Sequence, residues 1–230
     1  MRVIGMLGGM SWESSIEYYR LANERVRERL GGVHSARILL DSVDFAEVER
    51  FQAEGRWDEA GRMLAGRAQA LQAGGAELIV LCTNTMHKVV DAIEAAIAIP
   101  VLHIADATAD AITAAGLDRV GLLGTAFTME QDFYRERLRA RGIDVIVPDA
   151  DDRALVHRVI YDELVQGVVS DASRDAYRAV IGRLVAAGAQ GVILGCTEIE
   201  LLVTADDSPV PVFPTTRIHV DAAVDAALRA

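Results

Sequence analysis

The sequence predicts an α/β protein built from two pseudo-symmetric, doubly wound (Rossmann-like) parallel-sheet lobes with the active site between them. Three observations predict it. Short apolar runs alternate with helical patterns along all 230 residues, the pattern of parallel strands joined by helices. The stretch Gly75 to His87, GAELIVLCTNTMH, is repeated by Gly188 to Ile199, GAQGVILGCTEI, at a constant offset of 113 residues without a gap. RVIGMLGG from Arg2 is repeated by RVGLLGT from Arg119, with Gly124 lying 116 residues after Gly8. Solenoid units are far shorter than this period, so the repeat is a whole lobe.

In order, Arg2 to Leu7 reads as a buried strand, and Gly8-Gly9 as a turn whose backbone approaches a ligand closely. Ser11 and Ser14 offer N-cap oxygens to a helix running on from Trp12, with Ile16, Tyr19 and Val26 at helical spacing, to Gly31-Gly32. Ala36 to Val43 is the next strand and Asp44 to Arg50 a loop or short helix. Trp57 to Gln72 is a helix carrying Ala60, Leu64, Ala68 and Leu71 on one face. The strand Leu78 to Cys82 leads to a helix from Met86, a short strand at Ile99 to His103, and a helix to Ala115. The pattern restarts with the strand Arg119 to Thr125, and Thr128 to Gln131 is a capping-box pattern opening the next helix. A strand at Ile143 to Val147, helices Arg153 to Val165 and Ala172 to Ala187, and the strand Val192 to Leu194 follow. After Cys196 come a short helix, a polar loop at Asp206 to Ser208, a strand Val210 to Phe213 and a last helix from Arg217. The second copy has its elements by Val203, so the last strand and helix are expected to cross back. Residues 1–103 with 208–230 then form the first lobe, and 104–207 the second.

Composition narrows the function. Apolar residues make up 51% of the chain and the mean hydropathy is +0.21, enough for packed cores. No apolar run approaches the ~20 residues of a membrane helix, and the start breaks at glycines instead of continuing as a signal sequence. A cytoplasmic location is expected. A net charge of −11 opposes binding to nucleic acid or an anionic membrane, and any anionic substrate must be held by local donors against the overall field. Gly5, Gly8 and Gly9 do not make the dinucleotide-binding fingerprint, and no P-loop pattern occurs. The histidines at 34, 87, 103, 157 and 219 form no helical ligand pair, so no metal is expected. Cys82 and Cys196 lack the spacing of a zinc or redox motif and read as free thiols.

The ungapped register decides which residues correspond. Cys82 falls on Gly195, Thr83 on Cys196 and Asn84 on Thr197, so the partner of Cys196 is Thr83. Successive strand side chains point to opposite faces, which makes Cys82 a packed thiol behind the site. Cys196 sits between a strand and a helix start, where the helix N-terminus is expected to lower a thiol pKa that begins near ~8.5. Thr83, Asn84 and Thr85 with Thr125 and Thr197 read either as simple caps or together as a carboxylate cradle. His87, four residues after Thr83, either faces the site or is held structurally.

LGGMSWES at the start, VDF from Val43, LCTNTMH, LGT at mid-chain, TMEQDFY from Thr128 and GCTE near the end cover nearly the whole chain. With these motifs the chain resembles the cofactor-independent aspartate/glutamate racemase superfamily, and within it the broad-specificity amino-acid racemase branch. The resemblance implies two Rossmann-like lobes paired in a homodimer, an amino-acid substrate, and no pyridoxal phosphate or metal. It implies two thiols facing opposite sides of the substrate α-carbon, one removing the proton and the other donating one. Here the chain departs from the family. Aligning NTMH puts Thr83 at the first catalytic cysteine, with Cys82 where relatives carry proline. Val48 and Val165 stand where aspartate-specific relatives read a side-chain carboxylate with Arg and Lys, leaving Arg50, Gln52 or Gln166 as substitutes, and Pro214 stands where many carry Asp.

The combined expectation is an amino-acid racemase with Cys196 as thiolate base and Thr83 as opposing donor. Asn84, Thr85, Thr125 and Thr197 hold the α-carboxylate, and Met10 and Gln52 line the pocket. By resemblance the second-lobe thiol faces the L-substrate. A same-fold decarboxylase or isomerase with one catalytic cysteine is the enzymatic alternative. A two-lobed protein that binds an amino acid without turning it over is the alternative of another class.

Overall fold

Among the described residues, 1–229 of a computed structural model, the apolar runs form two four-stranded parallel sheets. The chain divides into two units, Met1–Ile104 with the segment from His219 on, and Ala105–Ile218. The first unit contains β1 Ile4–Gly8, α1 Trp12–Leu30, β2 Ile38–Ser42, α2 Phe45–Ala53, α3 Trp57–Ala73, β3 Leu78–Leu81, α4 Val90–Glu94 and β4 Val101–Leu102. A 3-10 turn, Thr85–Val89, precedes α4. Its strand order is β2-β1-β3-β4, which places β1 and β3 at the centre. Strand alternation then sends side chains to two cores. Ile4, Met6, Leu78 and Val80 pack with Tyr18, Leu21 and Val26 of α1, while Leu7, Ile79 and Leu81 pack with Val48, Phe51, Leu64 and Ile93 from α2, α3 and α4. Helices cover both faces, as a parallel sheet requires.

The second unit repeats this plan. It follows α5 Ile104–Ala114 with β5 Arg119–Gly124, α6 Ala126–Glu130, α7 Asp132–Arg139, β6 Asp144–Ile146, α8 Ala150–Asp162, α9 Asp171–Ala186, β7 Val192–Gly195, α10 Ile199–Leu202 and β8 Val212–Pro214. The order β6-β5-β7-β8 matches the first sheet strand for strand. Helix α9 approaches closely at Gly121, where an added Cβ would lie 2.9 Å from Leu184 Cδ1. The Tyr177 hydroxyl donates to the Val156 carbonyl, and Arg183 grips the Asp152 carboxylate through two bonds of 2.6 Å, tying α9 to α8. The last helix is α11, Thr215–Leu228, whose Val220 and Val224 join the first unit's core. No described helix is long and apolar enough to cross a membrane.

Three sequence expectations differ from the structure. The last strand does not return to the first sheet: Val212 pairs with Val192 as Val101 pairs with Ile79, so β8 is the second unit's copy of the two-residue β4. Only the chain from His219 on groups with the first unit. The cap of α6 is Thr125, which accepts from the Thr128 amide, and Thr128 lies inside that helix. On α1 the buried stripe is Ser14, Tyr18, Leu21, Ala22 and Val26; Ile16 and Tyr19 fall on the outer face and are 55% and 52% exposed.

The Gly8-Gly9 turn tolerates no side chain at its second position. Gly9 has φ +90, and an added Cβ would sit 2.1 Å from the Val43 carbonyl oxygen, whereas Gly55 has φ +69 with open space around it. Gly55→Ala should cost about 1 kcal/mol for the left-handed backbone alone, and Gly9→Ala clearly more. Urea denaturation compares them; equal losses would mean that the Val43 contact relaxes freely.

Candidate active site

The two sheets hold their central strands in one common register. Gly5 pairs with Ile79 in the first and Gly121 with Val192 in the second. A shift of 116 residues along the inner strand and of 113 along its neighbour therefore carries one ladder onto the other. Thr83 and Cys196 occupy equivalent turn positions in their units. Cys82 continues the Leu78, Val80 face into the core under α1 and α11, fully buried, with Sγ 3.7 Å from the Val80 carbonyl oxygen. It is a core side chain, and burial pushes its thiol far above the usual range. At the equivalent Gly195 an added Cβ would meet the Leu123 carbonyl oxygen at 2.8 Å, so the second copy has no room for a cysteine there.

In the first unit, the Thr83 amide donates to the Leu81 carbonyl at 2.8 Å, and the Thr83 carbonyl accepts from His87 Nδ1 at 2.7 Å. His87 Nε2 accepts the Ile104 amide at 3.2 Å. Both ring nitrogens serve the backbone, which fixes a neutral imidazole protonated on Nδ1. His87 is thus held structurally. Its register partner Glu200 does the same job in the second unit, accepting the Thr216 amide at 2.8 Å. Each side chain fastens the turn after the third strand to the start of the helix that follows the fourth. Asn84 and Thr85 are buried as the 3-10 turn begins. The buried Gln52 donates to Met86 Sδ at 3.1 Å, and Met10 packs in the same cluster as Met86. Val48 lies in that core too, while Arg50 is exposed with its guanidinium 5.7 Å from the Phe51 ring.

In the second unit, Thr125 and Cys196 leave adjacent strands side by side, because Gly124 pairs with Gly195. The Thr125 hydroxyl oxygen accepts the Thr128 amide as the cap of α6. Thr197 is buried, and its hydroxyl accepts from that of Thr216 at 3.0 Å. Cys196 is partly exposed, and its thiol donates to Glu198 Oε2 at 2.9 Å. The expected depression of this thiol's pKa is not found. Burial, then the Glu198 charge, raise it well above the usual value. The helices that begin here are short, α10 of four residues and α6 of five, and offer little dipole against a full carboxylate charge. Glu198 was the residue missed in the sequence. The ungapped register sets it opposite Thr85, and an acid two residues past a turn thiol was the available signal.

Comparison with known proteins places this geometry in context. A family model described as Asp/Glu/Hydantoin racemase matches residues 7–223. A solved structure of a putative Asp/Glu racemase from Yersinia pestis is 58% identical, with all of each chain covered and a TM-score of 0.94. An aspartate racemase homologue from Pyrococcus horikoshii OT3 is 34% identical over 99% of each chain, with a TM-score of 0.87. The broad specificity amino-acid racemase RacX of Bacillus subtilis (strain 168) is 24% identical over 162 residues, which cover 69% of this chain and 68% of that one.

The two thiols should differ sharply towards an alkylating agent. Iodoacetamide should modify Cys196 in the folded protein and leave Cys82 untouched until unfolding. Since the folded Cys196 pKa is raised, modification should climb as pH rises beyond the ordinary thiol value of ~8.5. Mass spectrometry of the two peptides checks this; modification of native Cys82 would contradict its packing.

Proposed function

The chain belongs to the Asp/Glu/Hydantoin racemase family, and from that premise we propose that it is a cofactor-independent amino-acid racemase whose acid–base pair is Cys196 and Thr83. The observation that carries the reading is the ladder register. It supports Thr83, and not the core residue Cys82, as the counterpart of Cys196. Cys196 as thiolate removes the α-proton from one face of a small free amino acid. Thr83, from the other, donates through its hydroxyl or a water; a hydroxyl is too basic to serve well as a general base near neutral pH. One hand of the substrate therefore meets a competent base and the other does not. By resemblance that hand is L. Asn84, Thr85, Thr125 and Thr197 hold the α-carboxylate, with Met10 and Gln52 lining the pocket.

Deuterium entering the α-position in D₂O is the test, applied across free amino acids. Cys196→Ser should abolish exchange, Cys82→Ser should keep most of it, and Thr83→Cys should raise exchange of the D-enantiomer. A folded but inactive Cys82→Ser protein would overturn the Thr83 assignment. Absence of exchange with every amino acid would favour a binding protein.

The family resemblance also carries a homodimer, and the outer stripe of α1 supports one. Trp12, Ile16 and Tyr19 are exposed there at helical spacing, beside Leu40 on the edge strand β2. Apolar side chains so aligned are costly in water and cheap against a second copy. Tyr19→Arg should shift the protein from dimer to monomer in light scattering; a monomeric wild type would contradict the reading.

A further inference from the structure

A cleft of about 640 Å3 lies in the first unit between the start of α3 and the segment that runs from the Thr85–Val89 turn into α4. It is large enough for a small molecule, and the candidate active site uses none of the side chains that line it. A close helix contact makes its floor: at Gly61 an added Cβ would lie 3.1 Å from Ala92 Cβ and 3.4 Å from Val89 Cβ. Each wall carries one charge of each sign, Asp58 and Arg62 on α3, Lys88 and Asp91 on the facing segment.

Among the described residues, none of these four side chains has an ion-pair or hydrogen-bond partner. Their spacing makes that unusual. Asp58 and Arg62 stand at i, i+4 and Lys88 and Asp91 at i, i+3, separations at which opposite charges on a helix meet. The same separations are closed elsewhere in the chain, by Arg20 with Glu17 and Glu24 and by Arg174 with Asp171. Lys88 instead holds its ammonium group over the Trp57 ring, 3.8 Å from the centroid, and burial lowers its pKa. The aromatic face offsets part of that desolvation, and a carboxylate would offset more.

We propose that this cleft is a second ligand site, one that takes the zwitterion of a free α-amino acid with an apolar side chain. The carboxylate meets Lys88 and Arg62, the ammonium group meets Asp58 and Asp91, and the side chain lies against Trp57 and Val89. Charge selects this class. An anion would face Asp58 and Asp91 together with the net charge of −11, and a cation would face Lys88 and Arg62. A zwitterion carries both signs on one carbon and no net charge, so it answers all four groups. The site lies on the segment that also carries His87, whose Nδ1 donates to the Thr83 carbonyl. It uses neither member of the proposed acid–base pair, so the inference does not depend on the racemase reading.

Trp57 is the reporter. Trp12 is the only other tryptophan, and Trp12→Phe leaves the cleft with the sole indole of the chain. L-leucine, which does not fluoresce, should change the Trp57 emission saturably, with half-saturation on the order of 1 mM, the weak affinity expected of partly exposed charge pairs. Leucinamide lacks the carboxylate and 4-methylpentanoate lacks the ammonium group, so each should bind at least roughly fivefold more weakly. In the same background Lys88→Met and Asp91→Asn should each raise the half-saturation concentration by a similar factor. Asp91→Asn keeps the shape of the side chain and leaves the ring contact of Lys88 in place, so its result is free of any change in the reporter. An emission that drifts without saturating would overturn the proposal. Equal binding of leucine and its two half-analogues would do the same, as would an unchanged half-saturation in both variants, which would mean that leucine binds elsewhere. Because emission reads binding and not turnover, a failed exchange screen would sink the racemase reading and leave this inference standing.

Discussion

Register between the first and third strand of each sheet is the constraint from which the candidate site follows. The Cys82 amide donates to the Leu7 carbonyl at 2.9 Å, directly continuing the ladder that pairs Leu7 with Leu81. A slip of one residue would exchange every face, lifting Cys82 into the turn and driving Thr83 into the core. Close packing resists the slip. At Gly5 an added Cβ would lie 2.8 Å from both Ala76 and Ile79, and at the equivalent Gly121 it would press on Leu184. The same ladder thus decides which thiol is buried and which meets a carboxylate.

On this shared frame the two units place different chemistry at matched positions. His87 and Glu200 have unlike side chains and one task, accepting a backbone amide where the next helix starts. Thr83 against Cys196 and Thr85 against Glu198 are another matter, because each pair differs in acidity. The second unit holds a thiol hydrogen-bonded to an acid, and the first holds hydroxyls. Duplicated folding and unequal acid–base strength are compatible because the frame is fixed by backbone bonds and core packing, while these turn side chains are left to chemistry.

The lobes, the repeat and the correspondence of Thr83 with Cys196 were legible in the sequence because an ungapped repeat carries register as well as fold. Elements set by three-dimensional context were not. The two-residue β4 gave too weak a pattern to reveal β8 as its copy, so the last strand was expected in the wrong sheet. Ile16 and Tyr19 have helical spacing on α1 but the wrong phase, which only the packing of Tyr18 and Val26 against the sheet discloses. The helix N-terminus expected to acidify Cys196 proved to be one short turn. The larger electrostatic effect came from Glu198, and a distance of 2.9 Å between side chains two residues apart depends on how the turn folds.

The central claim is that unequal groups at positions 83 and 196 make the protein's action unequal towards the two hands of its substrate. The most direct measurement follows loss of the α-proton signal by NMR in D₂O, for each enantiomer of one amino acid separately, with unmodified protein at matched concentrations. Much faster exchange of the L-form than of the D-form is the predicted result. Equal rates for both hands would contradict the account, because they require a competent base on each face of the α-carbon.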